Sequence, residues 1–467
     1  MCALFRSNKI GQGIDLIKSN KMDEALQFFA EIHTKEPKNV DAIIEIAKIY
    51  FKKNDISSCK NILLNAIELN LDKDNIDAIL ELTNHRMIAS DKYLNNSPVF
   101  SPDGTKIVYT SIRNDTNGDN LIDNNDRAGL YMYDLYANKE TELVSDKYHN
   151  SAPSFSPDGT KIVCLSARRD TNHDGMINHM DNPELCVIET SSGKESLYIS
   201  GEWCFKHPTL SPDNRHLLFS GWRPGSEILG IYVWNLETGN TKRISPERFN
   251  NTYPTWCPEG KNILYTSWRE DSNHDDIISI QDNSGIYIFD MEKNEEHQLV
   301  NHNYDSRFPH FSPDGKTILY LSRRRDTNND GKIDSFDNPG IFVMNLKTRK
   351  ESIVVSDDYF NLFPTFTHDS DNIVYLGSWR SGKKKVYNRD YFENKGVYMS
   401  SISSHKEANI VNEKYYGCRN TVASPSQDMV TYLSWRKKTN RGVYLAYLKK
   451  ELTKDELKNI IINNFGD

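Results

Sequence analysis

The 467-residue chain lacks the marks of several large functional classes. No window approaches the roughly 18 unbroken apolar residues of a membrane span. A basic footprint is missing too: the formal net charge is -8, which argues against general nucleic-acid binding. The seven cysteines, at positions 2, 59, 164, 186, 204, 257 and 418, include no CxxC pair. Such a scatter fits a reduced setting, with Cys164 and Cys186 expected as small core residues of strands. Neither a G-x-S-x-G elbow nor an H-E-x-x-H helix occurs, so two common hydrolase signatures are absent. The stretch "MCALFRSNKIGQGIDLIKSN" has only a three-residue apolar run before a helical pattern, so no signal peptide and a cytoplasmic setting are expected.

What is present is repetition. Charged residues make up 26% and apolar ones 37%, but 24 Tyr and 19 Phe argue against disorder. Residues 8 to 86 carry helical periodicity with a recurring small-residue pattern. Gly13, Ala25, Phe29, Ile32 and Pro37 align with Ala47, Cys59, Leu63, Ala66 and Leu71 at a constant offset of 34, the period of a helix–turn–helix repeat. Small residues at 13, 25 and 47 let paired helices approach, and Pro37 sits where a helix must stop. Residues 1–84 thus resemble two tetratricopeptide repeats, with a further helix around "NIDAILELTNH" to cover the open end.

After residue 86 the pattern changes to alternation. "SPVFSPDGTKIVYTS" returns in six further versions, among them "SAPSFSPDGTKIVCLS" and "RFPHFSPDGKTILYLS". The matching positions are 101, 156, 211, 257, 312, 367 and 424. Each copy reads as a strand, a Pro-Asp-Gly turn, a second strand, a variable loop, a third strand such as "GIYIFDM" and usually a fourth. Four short strands at regular spacing describe a propeller blade. The last copy has no clear fourth strand, whereas "RMIASDKY" stands 55 residues ahead of "ELVSDKY" as a fourth strand without a blade. Strand 86–90 is therefore expected to complete blade seven, which removes open sheet edges. The expected fold is mainly β: a seven-bladed β-propeller over residues 85–449, preceded by the small α-helical repeat domain. Residues 450–467, containing "ELTKDELKNIIINNF", read as an amphipathic helix docked on the outside.

The strand motifs resemble the TolB-type propeller repeat, which is usually described with six blades; the seven copies and the acidic inserts depart from it. That resemblance implies a protein-binding platform, or a module gating a separate catalytic domain.

The inserts carry the chemistry. "DTNNDGKIDSFDN" in blade five sets Asp326, Asn328, Asp330, Gly331, Ile333, Asp334 and Asp337 at positions 1, 3, 5, 6, 8, 9 and 12 of an EF-hand-like calcium loop. Blade two repeats it with Asp170, Asn172, Asp174, Asn178 and Asp181, and blade one with Asp115, Asn117, Asp119, Asp123 and Asp126. Blade four keeps Asp271, Asn273, Asp275 and Asp282 but has Asp276 at the turn and Ser279 at position 9. Alternating oxygens wrap a hard cation, Gly at 6 permits a left-handed turn, and Ile at 8 is expected to anchor the loop. A solvated turn is the plainer reading of one such loop; four that keep positions 1, 3, 5, 8 and 12 weigh against it. Up to four calcium sites are expected, tightest in blade five and weakest in blade four. They would cancel the net charge of -8 and would suit an extracytoplasmic site, in tension with the missing signal peptide.

Two further series share the rim. Arg113, Arg168, Arg223, Arg269, Arg324, Arg380 and Arg436 end the second strands, with Trp before four of them at 222, 268, 379 and 435. They are read as structural ties to carboxylates. The connections carry Tyr148, Trp203, Phe205, Phe249, Tyr253, Tyr304, Phe308, Phe360 and Phe363, for which inter-blade packing weighs above ligand binding. His149, His207, His302 and His310 are placed on connections of blades two, three and five, without an H-x-H pair. The leading expectation is a monomeric, non-enzymatic scaffold that binds protein or peptide partners through the helical repeats and the rim. The alternative is a propeller enzyme or carbohydrate-binding protein, polysaccharide-lyase-like, with its site at the central mouth.

Overall fold

The computed structural model describes residues 2–53, 55–83, 86–199, 203–222, 226, 228–334, 336–378, 395–411, 418–434, 440–448 and 453–465. The chain forms two compact units, Met1–Met87 with Leu445–Asp467, and Ile88–Tyr444.

The helical unit opens with α1 (Cys2–Lys18), α2 (Met22–Lys35), α3 (Val40–Lys52), α4 (Ile56–Ile67) and α5 (Lys73–Thr83). Short polar side chains start the helices. Asn39 accepts the Ala42 N–H at 3.1 Å, Asp55 that of Ser58 at 3.1 Å and Asp72 that of Asn75 at 2.8 Å. Each supplies a partner to a first-turn donor that the helix itself cannot satisfy. The small residues act as expected. A methyl group on Gly13 would stand 2.3 Å from the buried Phe29 ring, so only glycine permits that approach. The tail helix α6 (Lys454–Phe465) is not an outside appendage: Leu457, Ile460 and Ile461 bury in one cluster with Leu63, Ala66 and Ile79. Their i, i+3, i+4 spacing makes one apolar stripe, which needs an apolar partner.

The second unit is built on seven four-stranded antiparallel sheets. Blade one is β2 (Leu94–Phe100), β3 (Lys106–Ile112), β4 (Gly129–Asp134) and β5 (Lys139–Val144); blade two is β6 (His149–Phe155), β7 (Lys161–Ala167), β8 (Glu184–Glu189) and β9 (Glu195–Ile199). Blade three is β10 (Cys204–Leu210), β11 (His216–Trp222), β12 (Gly230–Asn235) and β13 (Thr241–Arg243). Blade four is β14 (Asn250–Trp256), β15 (Asn262–Trp268), β16 (Gly285–Asp290) and β17 (Glu295–Val300). Blade five is β18 (Asp305–Phe311), β19 (Thr317–Arg323), β20 (Gly340–Asn345) and β21 (Glu351–Val355). Blade six is β22 (Asn361–Phe366), β23 (Asn372–Ser378), β24 (Lys395–Ser401) and β25 (Glu407–Val411). The seventh sheet takes β26 (Cys418–Ala423), β27 (Met429–Ser434) and β28 (Gly442–Tyr447), with β1 (Arg86–Ala89) beside β28 at its outer edge.

Second strands are buried almost end to end because blades cover both of their faces; fourth strands such as "KETELV" stay largely open to solvent. Directly opposed aromatics join strands two and three. Tyr109–Tyr131, Tyr265–Tyr287, Tyr320–Phe342, Tyr375–Tyr398 and Tyr432–Tyr444 stack with centroids 5.7 to 6.1 Å apart. Such pairs contribute about 0.5–1.5 kcal/mol each beyond their burial. Blade two places Cys164 opposite Cys186 at that level, both buried and free, in the core role expected for them.

Adjacent blades are stapled by a residue the sequence reading passed over. An Asn beside the start of the first strand sends its Nδ2 into a nest of carbonyl oxygens. Asn150 reaches Ala128 at 3.0 Å and Tyr148 at 3.1 Å. Asn361 reaches Pro339 at 3.0 Å, with Ser356 and Tyr359 at 2.9 Å. Asn95 reaches the carbonyl of Arg441 at 2.6 Å, which joins blade one to blade seven. Three acceptors around one NH2 group leave no doubt which end of the amide faces inward. Asn361→Ala should lower the unfolding free energy by about 1–3 kcal/mol, and Asn361→Asp by more, because a carboxylate would face three carbonyls; urea denaturation of the two variants checks this.

Candidate functional site

Four acidic loops leave the ends of β3, β7, β15 and β19 and adopt one conformation. Position 1 (Asp115, Asp170, Asp271, Asp326) accepts the N–H of position 6 at 2.8–2.9 Å. Position 3 (Asn117, Asn172, Asn273, Asn328) accepts the N–H of position 5 at 2.8–3.0 Å. Position 5 (Asp119, Asp174, Asp275, Asp330) accepts the N–H of position 7 at 2.8–2.9 Å. Side chains at position 9 (Asp123, Asn178, Ser279, Asp334) accept the N–H of position 11 at 2.7–3.1 Å. Position 6 is left-handed in all four, at φ +85° and +87° for Gly175 and Gly331 and +66° and +65° for Asn120 and Asp276. Asp276 therefore holds a backbone shape that glycine adopts without strain.

Position 12 points inward. Asp126, Asp181, Asp282 and Asp337 are between 0% and 4% exposed. One oxygen of each takes the N–H of position 2 at 2.6–2.8 Å and the hydroxyl of that residue at 3.0–3.2 Å. The other takes the N–H of position 9 at 2.8–3.0 Å. Burial alone would raise the Asp126 carboxyl, but the bonds from Asp123, Thr116 and Asn117 hold it below the ordinary 3.8. This carboxylate clamps the two ends of the loop together. In three loops position 8 does not anchor the loop: Ile122, Ile278 and Ile333 are 46%, 42% and 40% exposed, while Ile177 in blade two is half-buried. The N–H network already sets the loop shape, leaving that side chain free to turn outward. Among the described residues no three His, Cys, Asp or Glu side chains gather as a metal-ligand group. What the loops offer outward is a mixed set of carboxylate and carboxamide oxygens at positions 1, 3 and 5, with position 9 half-buried in blades one, four and five and Asn178 of blade two only 1% exposed.

The loops stand beside the connections between blades. The Arg307 guanidinium reaches the carbonyl of Ile280 at 3.2 Å, and Nδ1 of His149 lies 3.4 Å from the carbonyl of Asp126.

The arginine series forms the ties expected of it. Arg324 grips Glu351 through two bonds, at 2.6 and 2.9 Å, and Arg269 grips Glu296 at 2.7 and 2.8 Å. Arg113 bonds Glu140 at 2.7 Å, and Arg168 pairs with Glu195. Each guanidinium also lies over an aromatic ring: Arg113 over Tyr131 at 3.5 Å, Arg269 over Tyr287 at 3.5 Å, Arg324 over Phe342 at 3.8 Å and Arg168 over Tyr148 at 4.8 Å. Burial pushes Glu140 and Glu351 up, but the Arg and Tyr bonds outweigh it and leave both below the ordinary 4.5. Arg223, Arg380, Arg436, Trp379 and Trp435 lie outside the described residues. Trp222 lies under Lys206 at 5.1 Å, and Trp268 donates to the carbonyl of Asp282 at 3.1 Å.

The rim aromatics are mostly scaffold. Trp203 and Phe205 pack on Phe219, while Phe249 and Tyr304 lie beside Arg269 and Arg324. Tyr253 meets Phe308 at 4.2 Å and His207 at 4.6 Å on the innermost strands. Phe360 is half-buried, and Phe363 is 41% exposed. Desolvation pushes the buried His149 down to about 4, so this imidazole is neutral at pH 7, whereas His207 and His310 are exposed on their strands. His302, also lowered by burial, lies 3.3 Å from Glu270.

Comparison with known proteins agrees with this architecture. Residues 16–82 match the model of the tetratricopeptide repeat, and residues 199–424 that of the prolyl oligopeptidase N-terminal β-propeller domain. The protein is a tetratricopeptide-repeat β-propeller of seven blades. An uncharacterized peptidase, YuxL, of Bacillus subtilis (strain 168) is 24% identical over 205 residues, 38% of this chain and 30% of that protein. This chain thus spans under a third of that curated relative. An oligogalacturonate lyase solved in complex with manganese superposes with a TM-score of 0.56 at 12% identity, over 78% of this chain and 92% of the lyase. A putative TolB from Agrobacterium tumefaciens reaches 0.44 at 15% identity, over 69% of this chain and 99% of that one. Peptidase and lyase propellers are thus among its relatives in fold. No described helix is long and apolar enough to cross a membrane.

Two outcomes test the clamps. Asp337→Ala should cost about 2–4 kcal/mol in urea unfolding with chelator present, and Asp326→Ala distinctly less, because only Asp337 is a buried multiple acceptor. The carboxylates with depressed values add stability above their unfolded value near 4.5 and lose it as the pH falls through the lower folded value. Melting temperature should therefore drop from about pH 5 downward, and Arg324→Gln should flatten that drop.

Proposed function

We propose that the protein is a non-enzymatic scaffold whose helical repeats take one protein or peptide partner and whose acidic rim, stiffened by calcium, takes another. The observation that carries this reading is apolar exposure on the rim. Nine of the fifteen exposed large apolar side chains among the described residues sit in the four acidic loops: Leu121, Ile122, Met176, Met180, Ile277, Ile278, Ile280, Ile333 and Phe336. Single exposed apolar residues are ordinary, but a series along one edge marks an interaction surface. Interleaved with carboxylates, it suits a partner that offers apolar groups among basic ones.

The loop oxygens fit a hard cation better than a soft one. Asp326, Asn328, Asp330 and Asp334 would hold calcium in blade five, with Asp337 keeping the loop in shape. The equivalent sets begin at Asp115, Asp170 and Asp271, the last weakened by Ser279 and by the strained Asp276. The ion's contribution is neutralisation and stiffening of the rim.

Thermal melting tests the metal. Calcium should raise the melting temperature, by about 2.7 kcal/mol of stabilisation per site at a hundred times its Kd, and Asp326→Asn with Asp330→Asn should remove part of that rise. A rise with magnesium alone discards the calcium assignment. For the rim, a variant combining Leu121→Ser, Met180→Ser, Ile277→Ser and Phe336→Ser should melt like the parent yet lose a captured partner; an unchanged partner set sinks the reading.

A further inference from the structure

Blade two departs from the other six at one level of the sheet. Phe219 and Tyr232 stack in blade three with centroids 5.5 Å apart, and blades one and four to seven stack their pairs at 5.7 to 6.1 Å. Blade two instead sets Cys164 of β7 directly opposite Cys186 of β8, at 0% and 1% exposure. The cluster around them is aliphatic, with Val108, Leu130, Ile162 and Ile188. Packing alone calls for another aliphatic pair there, yet both sulfurs are held by polar contacts. The Cys164 thiol donates to the Cys186 sulfur, which also receives Nη2 of Arg168 at 2.8 Å. Glu195 and the Ser166 hydroxyl, the latter at 3.3 Å, hold that guanidinium in place.

That arrangement gives the two sulfurs different roles. The bond from Cys164 first, and the Arg168 charge against burial, hold Cys186 below the ordinary 9.0 of a thiol. The same bond, together with burial, holds Cys164 above it. The Thr190 N–H bonds the Thr160 carbonyl at 2.9 Å, so every second pair along these strands exchanges ladder bonds, Cys164 and Cys186 among them. The Cα atoms of such a pair stand about 5.5 Å apart, within the span a disulfide bridges. Their Cβ atoms stand about 5 Å apart, wider than a relaxed disulfide holds them. A strained bridge is readily reduced.

We infer that Cys164 and Cys186 form a thiol oxidation site, a dithiol that a small hydroperoxide converts reversibly to a disulfide. The Cys186 thiolate attacks one peroxide oxygen, the O–O bond breaks, and the sulfur becomes a sulfenic acid while hydroxide leaves. Cys164 then attacks that sulfur. The S–S bond forms, the S–O bond breaks, and the departing hydroxide takes the Cys164 proton as water. Two electrons pass from the sulfurs to the peroxide. A second water results when the first hydroxide takes up the proton that Cys186 released. Burial keeps out bulky disulfides, while a hydroperoxide needs only a brief opening of β9, the edge strand of the sheet. Strands β7 and β8 carry the two ends of the blade-two acidic loop, so the bridge cross-links its base.

Treatment of the full chain with hydrogen peroxide, followed by alkylation under denaturing conditions and peptide mapping, tests it. The expected product links tryptic peptides Ile162–Arg168 and Asp170–Lys194, removes two of the seven titratable thiols, and reverts with dithiothreitol. Cys164→Ser should trap a sulfenic acid on Cys186 that dimedone captures, and Cys186→Ser should yield none. Arg168→Gln should slow bridging by about tenfold, the thiolate lost for one pKa unit. Arg113→Gln, which breaks the same tie in blade one, should leave the rate unchanged. Should the variants fail to fold, the map of the unaltered protein decides. A map without that link, equal linkage among the other cysteines, dimedone capture in Cys186→Ser, or a parental rate in Arg168→Gln overturns it.

Discussion

A ring of sheets holds together only if each blade is tied to the one before it and the last is tied to the first. Here the tie is one hydrogen-bonding arrangement: the start of an innermost strand donates to the carbonyl that precedes the third strand of the previous blade. Asn150 to Ala128, Asn361 to Pro339 and Asn95 to Arg441 are instances of it. The third spans 346 positions of sequence and is made like the others. At the seam this tie is joined by β1, the strand from ahead of blade one that pairs with β28 and completes blade seven. The buried amide is costly to lose because several hydrogen bonds to carbonyls closed off from water go with it.

Around that ring the side chains fall into two circuits. The inner one is structural: an arginine at the end of the second strand joins an aromatic ring and a Glu of the fourth strand. Planar stacking and paired bonds both favour Arg over Lys there. The outer circuit is the acidic rim. Its loops take their shape from N–H groups bonded to Asp side chains, with the position-12 carboxylate turned inward as a clamp. Shape is thereby settled within each loop, and the outward oxygens and apolar side chains are left for solvent, ions or partners. Blade two adds a third element, since its two thiols stand where the other blades stack aromatic rings.

The blade pattern was legible because its signals are local. A Ser-Pro-Asp-Gly turn is written in bonds such as Ser156 to Asp158 at 2.6 Å, only two residues apart. Alternation within a strand is equally short-ranged, and so was the 34-residue offset of the helices, explained by the approach of Gly13 to Phe29. The loop spacing was legible too. Its reading went astray at position 8, since periodicity shows which residues recur but not which way they turn. The staple Asn passed unnoticed because Asn is ordinary near turns, and the tail helix was assigned to the outside because its apolar stripe does not name its partner.

The sequence by itself determined the mainly β character, the seven-fold count, the helical repeats and the four-fold recurrence of the acidic loops. Those properties rest on turn chemistry and hydrophobic period, which act over a few residues. Only the tertiary structure decided that Asp337 and its counterparts face inward, that α6 completes the helical core, and that the Arg168 guanidinium reaches the sulfur of Cys186. Each of these depends on chain-distant groups meeting, and that meeting follows from packing and ring closure.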